Sequence, residues 1–476
     1  MNLVEKLTEP INKLESSENE VDHSHNLLEF VKNSNHFVQA SDSIFKSVPK
    51  IIDDLYIEWI ECYREYRYIP KYQDLLCSTH LIGSYGLDVL SRDSDIDILC
   101  VASKEIKRND FFTKFAQYIE DNLDCNLNSA AVCYVPVINM AYKKIKIDIV
   151  FSQVTASIPK NEQSLDAIKT ISNSAKCERT INAYRNLVYI KMIAPNFNKY
   201  RNCVKVVKMW AKNKLIYSNC VGYLGGIAWY ILVLKVMLLY PNATCCVIFE
   251  KVLYYISHRD WNKPVSLVKF HNENSFKNRK RGANYMTIFT PILPHQNTAY
   301  NVTESSKVKI IREAKKALSL VVKILHGYAN VDWEMVLRPQ NFFENYQFYI
   351  MIRVISMNLK YCYKWQTFVY SRLRNLIELL DGTKYIKEAH TYPKRLMNIN
   401  HPFQSDRFYF VGIEIDKDLY GSMALLDLNI QKKLFLSGLS GETSIDPTKV
   451  SVKFDLIPKE RIDSVVACLV DEVKHI

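Results

Sequence analysis

The chain has 476 residues, 48% hydrophobic and 24% charged, which fits a soluble globular protein of two or three domains and excludes a largely disordered one. Its 62 basic against 50 acidic residues leave a formal charge of +12, favouring a polyanionic partner, either nucleic acid or an anionic membrane surface. Twelve cysteines without CxxC pairs, histidines without metal spacing and an N-terminus without an apolar leader imply an intracellular protein with reduced thiols and no structural zinc.

In chain order, residues 26–66 read as two or three helices, with "IIDDLYIEWIECYREY" apolar at helical spacing. From 79 to 151 the pattern changes to short apolar strands around one helix, "NDFFTKFAQYIED" (109–121), for which Asn109 or Asp110 is the expected cap. Helices return over 154–260. There "YLGGIAWYILVLKVMLLY" approaches membrane-spanning length, but Lys235 in its middle and Gly225-Gly226 at its start point to a buried core helix. An irregular stretch, 264–305, carries the basic run "KNRKR" (277–281). A helix follows over 305–327 with Ser305 or Ser306 as cap, then a helix at 364–381 and strands at 407–416 and 449–456. No 20–50-residue repeat is present.

The chemistry concentrates in "GSYGLDVLSRDSDIDILCV" (83–101). In a strand Asp95, Asp97 and Leu99 share one face, while Ile96, Ile98 and Cys100 take the other. A second strand, "KIKIDIVFS", puts Ile145, Ile147, Ile149 and Phe151 on one face and Asp148 on the opposite one; an adjacent antiparallel pairing would bring Asp148 to the first two carboxylates. Three converging carboxylates suit hard divalent cations. Gly83 lets the backbone approach an anion, and Ser84 offers a hydroxyl and an N–H to phosphate oxygens. Together they describe a two-metal phosphoryl-transfer site. A lone Asp-x-Asp is more often a solvent-facing turn; the apolar flanks, the recurring aspartate and the Gly-Ser pair weigh against that here.

Gly-Ser, then Asp-x-Asp, then a third strand aspartate resembles the nucleotidyltransferase superfamily with a polymerase-beta-like palm. Downstream, "CVKVVKMWAKNKLIYSNCVGYLGGIAWYILVLKVMLLYPNA" (203–243), "PILPHQNTAYNV" (291–302) and "RPQNFFENYQFYI" (338–350) are similar to eukaryotic nuclear poly(A) polymerases, as is the N-terminal segment. The resemblance implies an α+β multidomain fold: an N-terminal helical arm (1–42), a nucleotidyltransferase palm (43–153), a helical middle domain (154–340) and an RRM-like RNA-binding domain (341–476). It implies AMP transfer from ATP to the 3′-hydroxyl of RNA with two Mg²⁺ ions (or Mn²⁺) on Asp95, Asp97 and Asp148. Nucleotide contacts carried over by motif are Ile82, Gly83, Ser84, Ser91, Asn182, Lys208, Tyr217, Asn219, Gly226 and Ile227. A monomer in the nucleus is implied, working with 3′-end-processing proteins and no membrane.

Read from spacing alone, Lys205 and Lys212 lie on a solvated helix flank and Phe408 and Phe410 pack in a core; the resemblance implies that Asn297 and Tyr300 sit at the cleft between middle and C-terminal domains. The family's "GSYRLGV" reads "GSYGLDV" here, which puts Asp88 where glycine is expected, an extra acid beside the triphosphate. The run "KNRKR" is a weak import signal. The rival readings are another template-independent RNA nucleotidyltransferase (uridylyl- or CCA-adding) and a catalytically dead RNA-binding module.

Overall fold

The computed structural model describes residues 11, 15–39, 42–71, 75–130, 136–154, 175–268, 284–356, 359–400, 406–416, 418, 426–440 and 450–471. The basic run 277–281 lies outside them. Two helices come first: α1 (Glu18–Asn33), opened by a capping box between Ser17 and Glu20, and α2 (Ser43–Tyr66). A five-stranded sheet follows, formed by β1 (Cys77–Leu81), β2 (Ile96–Ala102), β3 (Asn126–Ala130), β4 (Val137–Tyr142) and β5 (Ile145–Gln153) in the order β1-β2-β5-β4-β3. Helix α3 spans 108–122 with a π-turn at Phe111–Phe115. Neither expected cap forms: Lys107 holds the cap position, and Asp110 is buried, accepting from the Tyr63 hydroxyl at 2.7 Å and pairing with Arg67.

Strand β2 is covered on both faces, which explains its unbroken apolar run. Ile96, Ile98, Cys100 and Ala102 pack with Tyr56, Trp59, Phe111, Phe115 and Phe151. Leu99 and Val101 turn the other way, onto Ile181, Tyr184 and Val188 of α4 (Ala175–Ile193). Residues before Ile98 on that second face are therefore free to be polar.

The helical middle comprises α5 (Phe197–Asn213), α6 (Gly226–Leu239), α7 (Cys245–His258) and α8 (Glu304–Leu325). Helix α6 is the expected buried core helix: Trp229 to Leu234 are all buried, and among the described residues no helix is long and apolar enough to cross a membrane. The α8 cap is Thr303, whose hydroxyl accepts from the Ser306 N–H at 3.2 Å, rather than either serine. Helix α1 seats Leu27 and Val31 in this helical core, and Ser24 Oγ accepts from the first N–H of α7 at 3.1 Å.

The C-terminal part folds a second sheet from β6 (Phe348–Ser356), β7 (Ile386–Thr391), β8 (Leu396–Asn398), β9 (Arg407–Ile415), β10 (Val450–Pro458) and β11 (Leu469–Asp471), backed by α9 (Leu359–Asp381) and α10 (Asn429–Ser440). Phe408 and Phe410 sit in a core with Phe342, Tyr346 and Tyr349, as their spacing suggested. The small strands β7, β8 and β11 and helix α10 escaped the sequence pattern, being short or of mixed polarity.

Candidate active site

Strands β2 and β5 pair in parallel, not antiparallel, and their register sets Asp97 directly beside Asp148. The antiparallel neighbour of β5 is β4, which supplies Asn139; its Nδ2 donates to Asp148 Oδ1 at 2.6 Å. Strand direction is invisible to periodicity, because alternation of faces is the same in both pairings.

Burial, then the neighbouring charges of Asp148 and Asp95, pushes the Asp97 carboxyl up to about 8. Burial and Asp95 likewise push Asp148 up to about 6, against the hydrogen bond from Asn139. Asp95 is raised by burial and held back by Lys146. Ionising all three would thus put more negative charge here than the protein around them balances. Among the described residues no three acidic, His or Cys side chains stand close enough in this conformation to enclose a cation together. The donor set nevertheless fits: all-oxygen carboxylates, adjacent by register, in want of positive charge.

The turn Gly83–Gly86 follows β1 and is tied to β2 by the Ile82 N–H, which donates to the Asp97 carbonyl at 3.0 Å. Gly83 has φ +60°, and a Cβ there would lie 2.1 Å from Asp97 Oδ2. Only glycine lets this backbone pass against the carboxylate. Ile82 and Ser91 are buried behind the wall and do not line the cavity; Ser91 Oγ instead accepts from Lys212 Nζ at 3.0 Å.

A cavity of 1380 Å³ opens over these residues, lined by Gly83, Ser84, Asp95 and Asp97 and by Asn182, Lys208, Tyr217, Asn219, Gly226 and Ile227. Asp148 is half-buried beside Asp97 without lining it. Lys208 is 1% exposed; burial and then Lys212 hold its ammonium well below the usual range, and Nζ donates to the Val89 carbonyl at 3.0 Å. Asn182 is 3% exposed, and its Nδ2 has no hydrogen-bond partner among the described residues. Gly226 again marks close approach, since a Cβ would stand 2.9 Å from the Tyr217 hydroxyl. Asn297 and Tyr300 also line the cavity; Asn297 Oδ1 accepts from the Ile288 and Ala299 N–H groups, a loop-bracing role.

Two lysine readings change. Lys212 is no solvated flank: it lines the cavity and bonds Asp93 at 2.6 Å. Lys205 leans over the Phe37 ring at 5.8 Å, partly buried. Both helix faces are covered by elements distant in sequence. Asp88 does not reach the cavity either; it takes φ +57° and pairs with Arg201, facing out. Spacing also missed His36, Asp93, Lys146, Lys394 and Arg395, all on the cavity wall. Burial, followed by Lys212, lowers His36 to about 4, so its imidazole is neutral.

Three family models match in succession: the poly(A) polymerase nucleotidyltransferase domain over 7–191, the central domain over 199–339 and the predicted RNA binding domain over 341–411. The chain belongs to the poly(A) polymerase family. Among curated relatives, a poly(A) polymerase of Dictyostelium discoideum is 28% identical over 83% of this chain and 50% of its own length. The poly(A) polymerase PAPa of Candida albicans is 30% identical over 66% of this chain and 58% of its own. The chain thus spans about half the length of the relatives it matches. Among solved structures, Cid1, an RNA terminal uridylyl transferase, aligns at 14% identity over 67% of this chain and all of its own, with TM-score 0.49.

Proposed function

We propose that the chain is a template-independent RNA adenylyltransferase, transferring AMP from ATP to the 3′-hydroxyl of RNA and releasing pyrophosphate. The observation that supports this most is the uncompensated carboxylate set, Asp97 beside Asp148 with Asp95 next to them, at the edge of a cavity whose wall offers Gly83, Ser84 and Lys208. Family membership supplies the adenine preference.

In the reaction the RNA 3′-oxygen bonds to the α-phosphorus, the bond from that phosphorus to the bridging oxygen breaks, and the hydroxyl proton is lost. Asp95, Asp97 and Asp148 would hold two Mg²⁺ ions, with Mn²⁺ as substitute, which when bound acidify the hydroxyl and neutralise the leaving pyrophosphate. Gly83 and Ser84 present N–H and hydroxyl groups to phosphate oxygens. Lys208 answers the phosphate charge from within the wall. Tyr217, Asn219, Gly226, Ile227 and the unpartnered Asn182 Nδ2 shape and read the nucleoside. Ile82 and Ser91 act from behind, positioning the Gly83 turn and Lys212. Much of the rate enhancement comes from this positioning.

RNA would lie between the palm and the C-terminal sheet, whose Lys394 and Arg395 face the same cavity. The division at 42, 153 and 340, a monomeric nuclear enzyme and partners from 3′-end processing belong to the same reading. Extension of a single-stranded RNA primer with each of the four nucleotides tests it. The expected result is metal-dependent incorporation of ATP by the wild type and none by Asp97→Ala; preferred UTP or CTP incorporation would overturn the adenylyl assignment.

A further inference from the structure

We infer that Lys146 is a positioning residue for the RNA primer, pairing with the phosphodiester next to the terminal 3′-hydroxyl. This rests on the adenylyltransferase reading and names a residue within it. Lys146 precedes Asp148 by two residues on β5, so both side chains leave the same face of the sheet. The register pairs Ile96 with Ile147, which places Lys146 level with Asp95 across the parallel pair. Ala141 on β4 flanks it from the other side. Its side chain lines the cavity, and its charge acts on both Asp95 and Asp148.

The other cations of that wall, Arg179 among them, have work already. Lys208 donates to Val89, Lys212 pairs with Asp93, Lys394 pairs with Asp471, Arg92 pairs with Asp42, and Arg395 lies over the Tyr370 ring. Lys146 forms neither a hydrogen bond nor an ion pair within 4.0 Å among the described residues. It is a half-buried cation that feels Asp95 and Asp148 through space but is locked to neither by a direct contact.

Which anion follows from sheet order and from the chemistry. The strands run β1-β2-β5-β4-β3, and the Gly83–Ser84 turn leaves β1, so the triphosphate seat lies on the β1 side of the aspartates. An in-line displacement brings the attacking hydroxyl opposite the leaving group. The primer end must therefore approach from the β5 side, where Lys146 stands. Its nearest phosphate is the one joining the last two nucleotides.

The test compares wild type, Lys146→Ala, Lys146→Glu and Lys146→Arg in primer extension, with primer and ATP varied separately, and in metal-free anisotropy titrations of a labelled oligoadenylate across salt. Lys146→Ala is expected to raise the primer KM about fivefold, Lys146→Glu more, and Lys146→Arg to restore it, with the ATP KM unchanged. The slope of log affinity against log salt should shrink by about 0.7, one phosphate on a single strand. A rise in ATP KM with primer KM and salt slope unchanged overturns the assignment in favour of a triphosphate contact. No change in any parameter overturns it outright. Failure of the wild type to extend any primer removes the adenylyltransferase reading itself, and the primer assignment with it.

Discussion

The molecule holds two clusters of charge, and they are built in opposite ways. Around α8 and β7, Arg312 meets Glu388 at 2.8 Å, Lys316 meets Glu313 at 3.0 Å, and Lys309 donates to the Tyr346 hydroxyl at 2.9 Å. Burial lowers Lys309 to about 7, and it keeps His390 neutral, so near neutral pH two cations face two anions with little left over. At β2 and β5 three carboxylates lie near one another with no direct ion pair among the described residues, and burial drives Asp97 to about 8. The first cluster is closed and ties the middle helices to the C-terminal sheet. The second is open, and its imbalance marks a place for something the chain does not contain.

Substitutions should separate the two. The largest effect is expected at Asp97→Asn, which keeps the shape and removes one charge: primer extension should fall at least about a thousandfold. Next comes Gly83→Ala, whose new Cβ collides with Asp97 Oδ2 at a left-handed φ; a displaced turn should cost on the order of a hundredfold in kcat/KM. Glu388→Gln should spare the active site yet lower stability by about 2 kcal/mol in urea unfolding, because Arg312 loses its partner. Lys309→Met should act least. The unfolded chain keeps the lysine proton up to its ordinary value, whereas the folded chain releases it near 7, so wild-type stability gains from this group as pH rises from about 7 to 10. The variant should lack that slope, measured by urea midpoints across the range.

The sequence made the open cluster more legible than the closed one. Asp95, Asp97 and Asp148 showed themselves as charges inside apolar strands, a local contradiction readable without a fold. Gly83 announced a close approach and proves to be crowded by Asp97; Gly226, which spacing offered only as a helix start, is crowded by Tyr217 as well. Lys212 was misread because it sits one helical turn beyond Lys208, and only the tertiary fold brings the 91–94 turn over that face. The parallel pairing of β2 and β5 was hidden for a related reason, since periodicity carries faces and not direction. Asp88 drew attention as a departure and proved to point outward to Arg201, while the nearby Asp93, unremarked, contacts the cavity lysine. The Lys309 cluster left no trace at all; its members are scattered from 309 to 390 and look like ordinary helix and strand charges.

Thermal unfolding of the metal-free protein at pH 8 tests the contrast most directly. Asp97 favours its proton in the fold, so its contribution to stability falls as pH rises from about 4 to about 8 and is at its worst there. Asp97→Asn should therefore raise the metal-free Tm by a few degrees and abolish the further rise that Mg²⁺ gives the wild type, while Glu388→Gln lowers Tm and keeps the Mg²⁺ response. A metal-free Tm lowered by Asp97→Asn as much as by Glu388→Gln, with the Mg²⁺ response intact in both, would contradict the claim that the carboxylates of β2 and β5 form an open site.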